Sequence, residues 1–396
     1  MRILIANAHT SVVGGTESYL RSLIPGLLER GNQVALLGEW RGRPEGPSIA
    51  PNDGRTETWT VTDVGRTSVV LSARRFKPDV VYMNGLVAPA LERSLLELAP
   101  AVLFGHSYYG TCATGTKRHA FPQIVSCQRT LGPGCLVLNF ARQCGYASPV
   151  ALMGAYRRQL ARRTLLTRYR AICVASEHMR TEYVRHGVPE AQLHVLPPPP
   201  AGIQRDAAPP SGRRVSGQVA LVGRLTALKG GTFLIEALVL AGAQLGTPLF
   251  LTVLGDGPER PGLEVRARAL GLTARFTGWT GPAERNRILR TVDLLALPSL
   301  WPEPWGLVGL EAACVGVPTV AFAVGGIPEW LVGGESGELA PASPPTPAGL
   351  AAAIVRALRD PAHYARLCHG AWVRVAQYTE ELHLDQLLAI LAGAAR

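Results

Sequence analysis

The chain has 396 residues, a net charge of +11 and a pI near 9.7. At 47% hydrophobic and 17% charged residues it is globular rather than disordered, and its length suits two domains that each bury a core. The positive charge favours anionic partners (nucleotide phosphates, lipid head groups or nucleic acid) without choosing among them. Only three of the 40 basic residues are Lys, namely Lys77, Lys117 and Lys229, a bias that suggests a GC-rich bacterial genome.

The opening RILIANA follows Met1 and is too short for a signal peptide; it reads as a buried strand. QVALLGE, DVVYMN, AVLFGHS and AICVAS read as further strands of the first half. VALVGR, LFLTVLG, ARFTGW, LLALPS and PTVAFA read as strands of the second. Their apolar runs are continuous, as in parallel sheets covered on both faces. Helical stretches such as GTESYLRSLIPGLLERG and GTFLIEALVLAGA lie between them. The pattern predicts an α/β protein with two Rossmann-like, doubly wound domains.

A Pro-, Gly- and Arg-rich stretch without periodicity separates the halves. The expected organisation is a first domain over 1–196, a stiff linker over 197–217, a second domain over 218–375 and a closing helix over 376–396 that can pack back on the first. The segment 106–145 is too long for an ordinary connection and reads as a functional loop with some helix. No apolar run reaches membrane-spanning length, because EALVLAGAQLGTPLFLTVLG is broken by GTP into a helix and a strand. Seven Cys, an odd number with no CxxC pair, fit reduced thiols in a cytoplasmic chain.

Three strand ends carry chemistry. VGRLTALKGG sets Arg224 and Lys229 around a turn before a helix, a cationic pair suited to a diphosphate. Gly223 lies in the same turn, and Gly255 in VLGDGPER allows close backbone approach at the next strand end. Neither stretch is a P-loop or a GxGxxG fingerprint. SLWPEPWGLVGLE places Glu303 in a loop and Glu311 one and a half to two turns into the following helix. Free amides of that first turn can face a phosphate while the two carboxylates accept hydroxyls, a combination that a nucleotide-sugar satisfies.

These motifs carry a resemblance. Glu303 and Glu311 as E-x7-E, GRLTALKGG before them and GVPTVAFAVGGIPEWL after them resemble the retaining GT-B glycosyltransferases of family 4. VGGTE, KPDVVYMNG and VASEHMRTEYVRHGV resemble the same family's N-terminal half. The resemblance implies that the second domain holds the nucleotide-sugar, a UDP- or GDP-sugar, and that the first holds a hydroxyl acceptor. It gives Arg224 and Lys229 to the diphosphate, Glu311 to ribose hydroxyls and Glu303 to the transferred sugar. It gives the amides of Trp305, Gly306, Leu307 and Val308 to phosphate or sugar. Gly14 and Gly15 would approach the donor phosphates from the first domain, and His106 would lie near the donor sugar. The family commonly follows that His with Asp, where this chain has Ser107.

The same resemblance implies no bound metal and no cofactor beyond the donor, and the chain has no Asp-x-Asp motif. Front-face attack inside a tight ion pair is the expected route to retention, since no enzyme nucleophile is evident. The competing readings are a nucleotide-sugar epimerase of the same fold and a non-catalytic nucleotide- or glycan-binding homologue. Nucleic-acid binding finds no supporting motif. Cys112, Cys127, Cys135 and Cys144, with His119 among them, lack the short chelating spacings of structural zinc sites and read as free or buried thiols. The stretch from Tyr156 to Arg170 holds six Arg, with Met153, Tyr156 and Leu160 at helical spacing. A solvated arginine face on a core-packing helix is the favoured reading, and peripheral contact with the inner face of a membrane is the other.

Overall fold

The structure is a computed structural model describing residues 1–42, 46–209, 212 and 214–396. Pro210, Ser211 and Arg213 of the expected linker lie outside the described residues.

The first half runs β1 (Arg2–His9), α1 (Gly15–Glu29), β2 (Gln33–Trp40), β3 (Thr56–Thr60), α2 (Val61–Phe76), β4 (Val80–Met83), α3 (Pro89–Leu96) and β5 (Ala101–Gly105). It continues through a short antiparallel pair, β6 (Arg118–His119) and β7 (Val125–Ser126), then α4 (Gly134–Ala141), α5 (Pro149–Leu166), β8 (Ala171–Val174), α6 (Glu177–Arg185) and β9 (Leu193–Val195). The second half runs β10 (Gln218–Val222), α7 (Gly231–Leu245), β11 (Phe250–Leu254), α8 (Arg260–Ala269), β12 (Ala274–Gly278), α9 (Pro282–Leu289), β13 (Leu294–Leu297), α10 (Leu307–Cys314) and β14 (Thr319–Phe322). It ends with α11 (Ile327–Trp330), β15 (Gly337–Ala340), α12 (Pro347–Arg359), α13 (Pro361–Val375) and α14 (Glu380–Ala395).

Among the described residues the strands form two parallel sheets, in the orders β3-β2-β1-β4-β5-β8-β9 and β12-β11-β10-β13-β14-β15. Both switch direction beside their first strand, so each opens a crevice at that strand's carboxyl end. The continuous apolar strands follow from burial on both faces. In β1, Ile3 and Ile5 pack with α1 and α14, while Leu4 and Ala6 pack with α2, α3 and α6. The Ile and Leu side chains among these each contribute roughly 1.5–3 kcal/mol when fully buried.

β3, β9 and β15 were not expected from the sequence. They are edge strands, and TETWT of β3 exposes Glu57 and Thr58 and lacks the apolar run that marks a central strand. α7 is packed on α12 through Leu234, Ile235 and Leu238, although the stretch Ala227–Leu245 is long and apolar enough to cross a membrane by length and composition. The final helix, α14, sends Leu384, Leu387 and Leu391 into the core of the first sheet. The connecting segment lies against the second half: Arg285 Nη2 donates to Ala201 O, Asn286 Nδ2 to Gly202 O and the Asp206 amide to Cys314 O.

The segment 106–145 contains β6, β7 and α4. It is pinned by Lys117, whose buried ammonium pairs with Glu182 of α6 and donates to Arg129 O at 2.6 Å. In α5, Tyr156 turns inward with Leu152, Ala155, Leu165 and Leu166. Met153 and Leu160 do not join it and remain exposed, which corrects the expected core stripe.

Candidate active site

Two loops of the second half meet at the carboxyl ends of β10 and β13. β10 leads through Gly223 and Arg224 to a single 3-10 turn, Ala227–Lys229, and then to α7. Gly230 stands at φ 65°, and a Cβ there would lie 1.9 Å from Pro298 O, so only glycine permits this approach. The Leu300 amide donates to Leu228 O at 2.8 Å and ties the loops together. The result is an ion pair between Lys229 Nζ and Glu303 Oε1. Ser299 Oγ donates to the same oxygen at 2.6 Å and Trp301 Nε1 at 3.1 Å. Glu303 is buried, and an unpaired carboxylate there would carry a large desolvation penalty. All three donors meet Oε1; none among the described residues reaches Oε2.

Arg224 is exposed on the turn after β10, with no hydrogen bond or ion pair among the described residues. Gly223 and Gly255 stack backbone on backbone beneath it. The Gly223 amide donates to Leu254 O at 3.0 Å, and a Cβ on Gly255 would lie 2.0 Å from Gly223 O.

α10 starts at Leu307 after Gly306, which has φ 85°. Glu311 is therefore the fifth helical residue, little more than one turn in, and not one and a half to two turns as expected. Trp305 is buried, and its carbonyl accepts from Trp330 Nε1 at 2.6 Å. The amides of Leu307 and Val308 belong to the first turn, which has no intrahelical acceptor for them. Glu311 is buried with Oε2 3.2 Å from Arg285 Nη1. Burial pushes its carboxyl up to about 7, and the guanidinium offsets part of that rise.

The first half grips the Glu303 loop on both sides. Tyr108 OH donates to Pro302 O and Ser176 Oγ to Pro304 O, both at 2.8 Å. The Glu329 carboxylate on α11 accepts the amides of Glu177 and His178, each at 2.9 Å. Those amides open α6, where a helix leaves N–H groups free and favours negative charge.

The remaining candidates of the first half lie apart from this cluster. The Gly14 amide donates to Glu17 Oε2 at 2.9 Å, so in this structure it is bonded within its own turn. Gly15 is the first residue of α1 and is exposed. His106 stacks near Phe104, with ring centroids 4.4 Å apart, and its Nε2 lies 2.9 Å from Asn84 Oδ1. Asn84 donates through Nδ2 to Tyr82 O, which aims Oδ1 at the imidazole. His106 therefore carries its proton on Nε2 and leaves Nδ1 as an acceptor. Burial, assisted by His383, lowers its pKa to about 3, so it is neutral at physiological pH. No bond among the described residues joins His106, Gly14 or Gly15 to the Glu303 cluster.

The four thiols of the irregular segment are free. Cys144 Sγ lies 3.4 Å from His119 Nδ1, and Cys135 Sγ 3.9 Å from Thr130 O. Among the described residues no three His, Cys, Asp or Glu side chains are grouped to hold an ion.

Ser299, Trp301, Arg285, Asn84, Tyr108, Ser176 and Glu329 were not singled out from the sequence. Ser299 and Trp301 sit inside the acidic loop, and Ser176 occupies a recognisable helix cap. Arg285 and Glu329 carry no local signal, since their partners are far away in the chain.

Comparison with known proteins agrees with this layout. Residues 14–199 match the family described as Glycosyl transferase 4-like domain, and residues 213–371 match Glycosyl transferases group 1. Each match covers less than half of the chain, and together with the two Rossmann-like sheets they give it the GT-B fold. It is 35% identical over 179 residues to glycogen synthase of Mycobacterium tuberculosis, spanning 42% of each chain. It is 32% identical over 183 residues to D-inositol 3-phosphate glycosyltransferase of Segniliparus rotundus, covering 45% of this chain and 40% of that protein. These alignments thus span less than half the length of the curated relatives. The crystal structure of Anabaena HepE in complex with UDP-glucose superimposes with a TM-score of 0.70 at 19% identity, covering 99% of this chain and 100% of that one. At that identity the likeness concerns the fold.

Proposed function

We propose that this GT-B protein is a retaining glycosyltransferase that moves a sugar from a nucleotide-diphosphate-sugar to a hydroxyl acceptor. The observation that carries the reading is the Lys229–Glu303 pair, in which a buried carboxylate keeps one oxygen without a donor among the described residues, while the exposed Arg224 lies on the same β10–α7 connection as Lys229. Lys229 and Arg224 supply the charge that a diphosphate requires, and the first-turn amides of α10 add neutral donors. Glu303 Oε2 offers an acceptor to a sugar hydroxyl, and Glu311 offers one to ribose. The neutral Nδ1 of His106 offers a third acceptor from the first half. The UDP-glucose complex of HepE supports a uridine donor.

In the proposed reaction the bond from the anomeric carbon to the β-phosphate oxygen breaks, and its electron pair stays on that oxygen. The acceptor oxygen bonds to the anomeric carbon from the same face, and its proton passes to the departing phosphate oxygen. The products are the glycoside and the nucleoside diphosphate. Lys229 and Arg224 stabilise the charge that builds on the leaving group. Glu303 faces the positive charge that builds on the sugar.

Screening UDP- and GDP-sugars for thermal protection and slow hydrolysis tests the reading, because a donor at 100 times its dissociation constant adds about 2.7 kcal/mol of stability. Transfer to a hydroxyl acceptor with the anomeric configuration kept, read by NMR, distinguishes it from epimerisation. The absence of both protection and turnover across the two nucleotide series would overturn it.

A further inference from the structure

From residue 98 to residue 176 the chain has no Asp or Glu, and this stretch of 79 residues carries nine Arg and one Lys. Some of these cations have internal work. Lys117 pairs with Glu182, Arg162 lies over the Tyr109 ring and bonds to Leu86 O, and Arg163 donates to Leu131 O. Arg129, Arg142, Arg157 and Arg158 are exposed.

The same region turns apolar side chains outward. α4 packs Leu136 against Leu152 and Tyr156 of α5, and its outer side shows Val137, 73% exposed, and Phe140. α5 shows Val150, 83% exposed, then Met153 and Leu160. Val150, Met153, Arg157 and Leu160 fall at i, i+3, i+7 and i+10, which is one stripe of a helix. Arg129 and Arg142 flank α4 at its two ends, Arg129 with Nη2 3.4 Å from where a Cβ of Gly134 would stand. Two adjoining helices thus present outward apolar stripes bordered by arginine.

We propose that the α4–α5 face of the first domain docks on an anionic phospholipid surface. Charge complementarity chooses this occupant. A helix with an apolar stripe and arginines beside it lies in a bilayer interface, its stripe among the acyl chains and its guanidinium groups at the phosphates. A second copy of the chain meeting this face with its own would bring arginine against arginine with no carboxylate in the stretch to answer it. A soluble polyanion would engage the arginines and leave Val137 and Val150 in water.

Flotation of the full chain with vesicles tests this without any measurement of sugar transfer, so its result stands apart from that of the proposed activity. The expected outcome is binding to phosphatidylglycerol–phosphatidylcholine vesicles, weak binding to phosphatidylcholine alone, and release by salt. The double variant Val137→Ser/Val150→Ser should lose most vesicle binding with an unchanged melting temperature, because both side chains are exposed. Arg157→Gln/Arg158→Gln should weaken binding by about fivefold per arginine. Equal binding to both vesicle types, or none to either, overturns the proposal. So does vesicle binding that depends on the arginines and ignores the two valines, which marks a soluble polyanion site. Concentration-dependent dimers in light scattering that vanish in the valine variant also overturn it, in favour of self-association.

Discussion

Lys229 and Glu303 stand 74 positions apart and share one ion pair, with the lysine ammonium on the carboxylate oxygen that Ser299 and Trp301 also bind. Both residues were expected to meet the donor, one at the diphosphate and one at the sugar. The pairing adds that each has the other as its charged partner.

Single changes at this pair should therefore be non-additive. Lys229→Ala removes a charged partner worth roughly 1.5–3 kcal/mol, or about 10- to 150-fold in kcat/KM. Glu303→Gln keeps the shape and should lower kcat by about 10²-fold. The double variant should fall short of the product of the two losses by about 0.5–3 kcal/mol, the coupling of groups in direct contact. Steady-state kinetics on the four proteins checks this. Simple additivity, or a near-normal kcat for Glu303→Gln, would mean that the carboxylate only holds a hydroxyl.

If Glu311 holds ribose as proposed, donor binding should depend on pH. Its folded pKa is about 7, above the ordinary 4.5, because it is buried on α10 with Arg285 as its compensating charge. Between those values the folded chain keeps a proton that the unfolded chain has lost. This group's contribution to stability is full below about 4.5 and is lost as pH rises through about 7. Donor affinity should move the other way, since the ionised carboxylate is the stronger acceptor. A gain of about fivefold in UDP affinity across that window is expected. Calorimetry on the native chain and on Glu311→Gln checks it, the variant subtracting the ionisation of the ligand's own phosphate. Parallel pH profiles in the two proteins would remove Glu311 from the ribose contact.

The grip on the Glu303 loop predicts that the first half influences turnover through Tyr108 and Ser176. Tyr108→Phe removes the hydroxyl that reaches Pro302 O and leaves the ring in place. A lost hydrogen bond of about 1 kcal/mol should appear mainly in kcat, as a drop of about fivefold. Ser176→Ala should cost more overall, because Ser176 Oγ also caps α6 by accepting the Met179 amide at 3.3 Å. Ser176→Thr should restore both bonds. Kinetics and melting curves on all three separate the loop contact from the cap, and a Tyr108→Phe enzyme with native kcat would show that the contact does not position Glu303.

Chelation should leave activity intact. Arg224 and Lys229 provide the cationic charge at the proposed diphosphate site, so turnover in EDTA should match turnover without it. Loss of activity that added metal restores, with the circular dichroism unchanged, would reverse this expectation.

The fold and the acidic loop were legible because their signals are local. Continuous apolar strands, the Pro-rich break between halves and the helix after Gly306 each depend on neighbours within a few residues. The edge strands β3, β9 and β15 were not legible, since β3 is partly exposed and lacks an apolar run, and β9 and β15 are only three and four residues long. The stripe of Met153, Tyr156 and Leu160 was legible as helical spacing and misread as core. Spacing reports that residues share a side of a helix, and it does not report which side the rest of the protein covers.

The amino-acid sequence by itself determined two doubly wound parallel sheets, glycine-lined strand ends at Gly223 and Gly255, and two acids eight positions apart beside a helix start. Tertiary structure alone decided that Lys229 meets Glu303, that Arg285 meets Glu311, and that Tyr108 and Ser176 hold the loop between them. It also decided that His106 is neutral. Each of these depends on burial, or on partners brought close by the packing of loops whose order in the chain says nothing about their separation in space. The hydrophobic pattern repeats every few residues and can be read locally, whereas a charge acquires its partner and its pKa only when the surrounding water is removed.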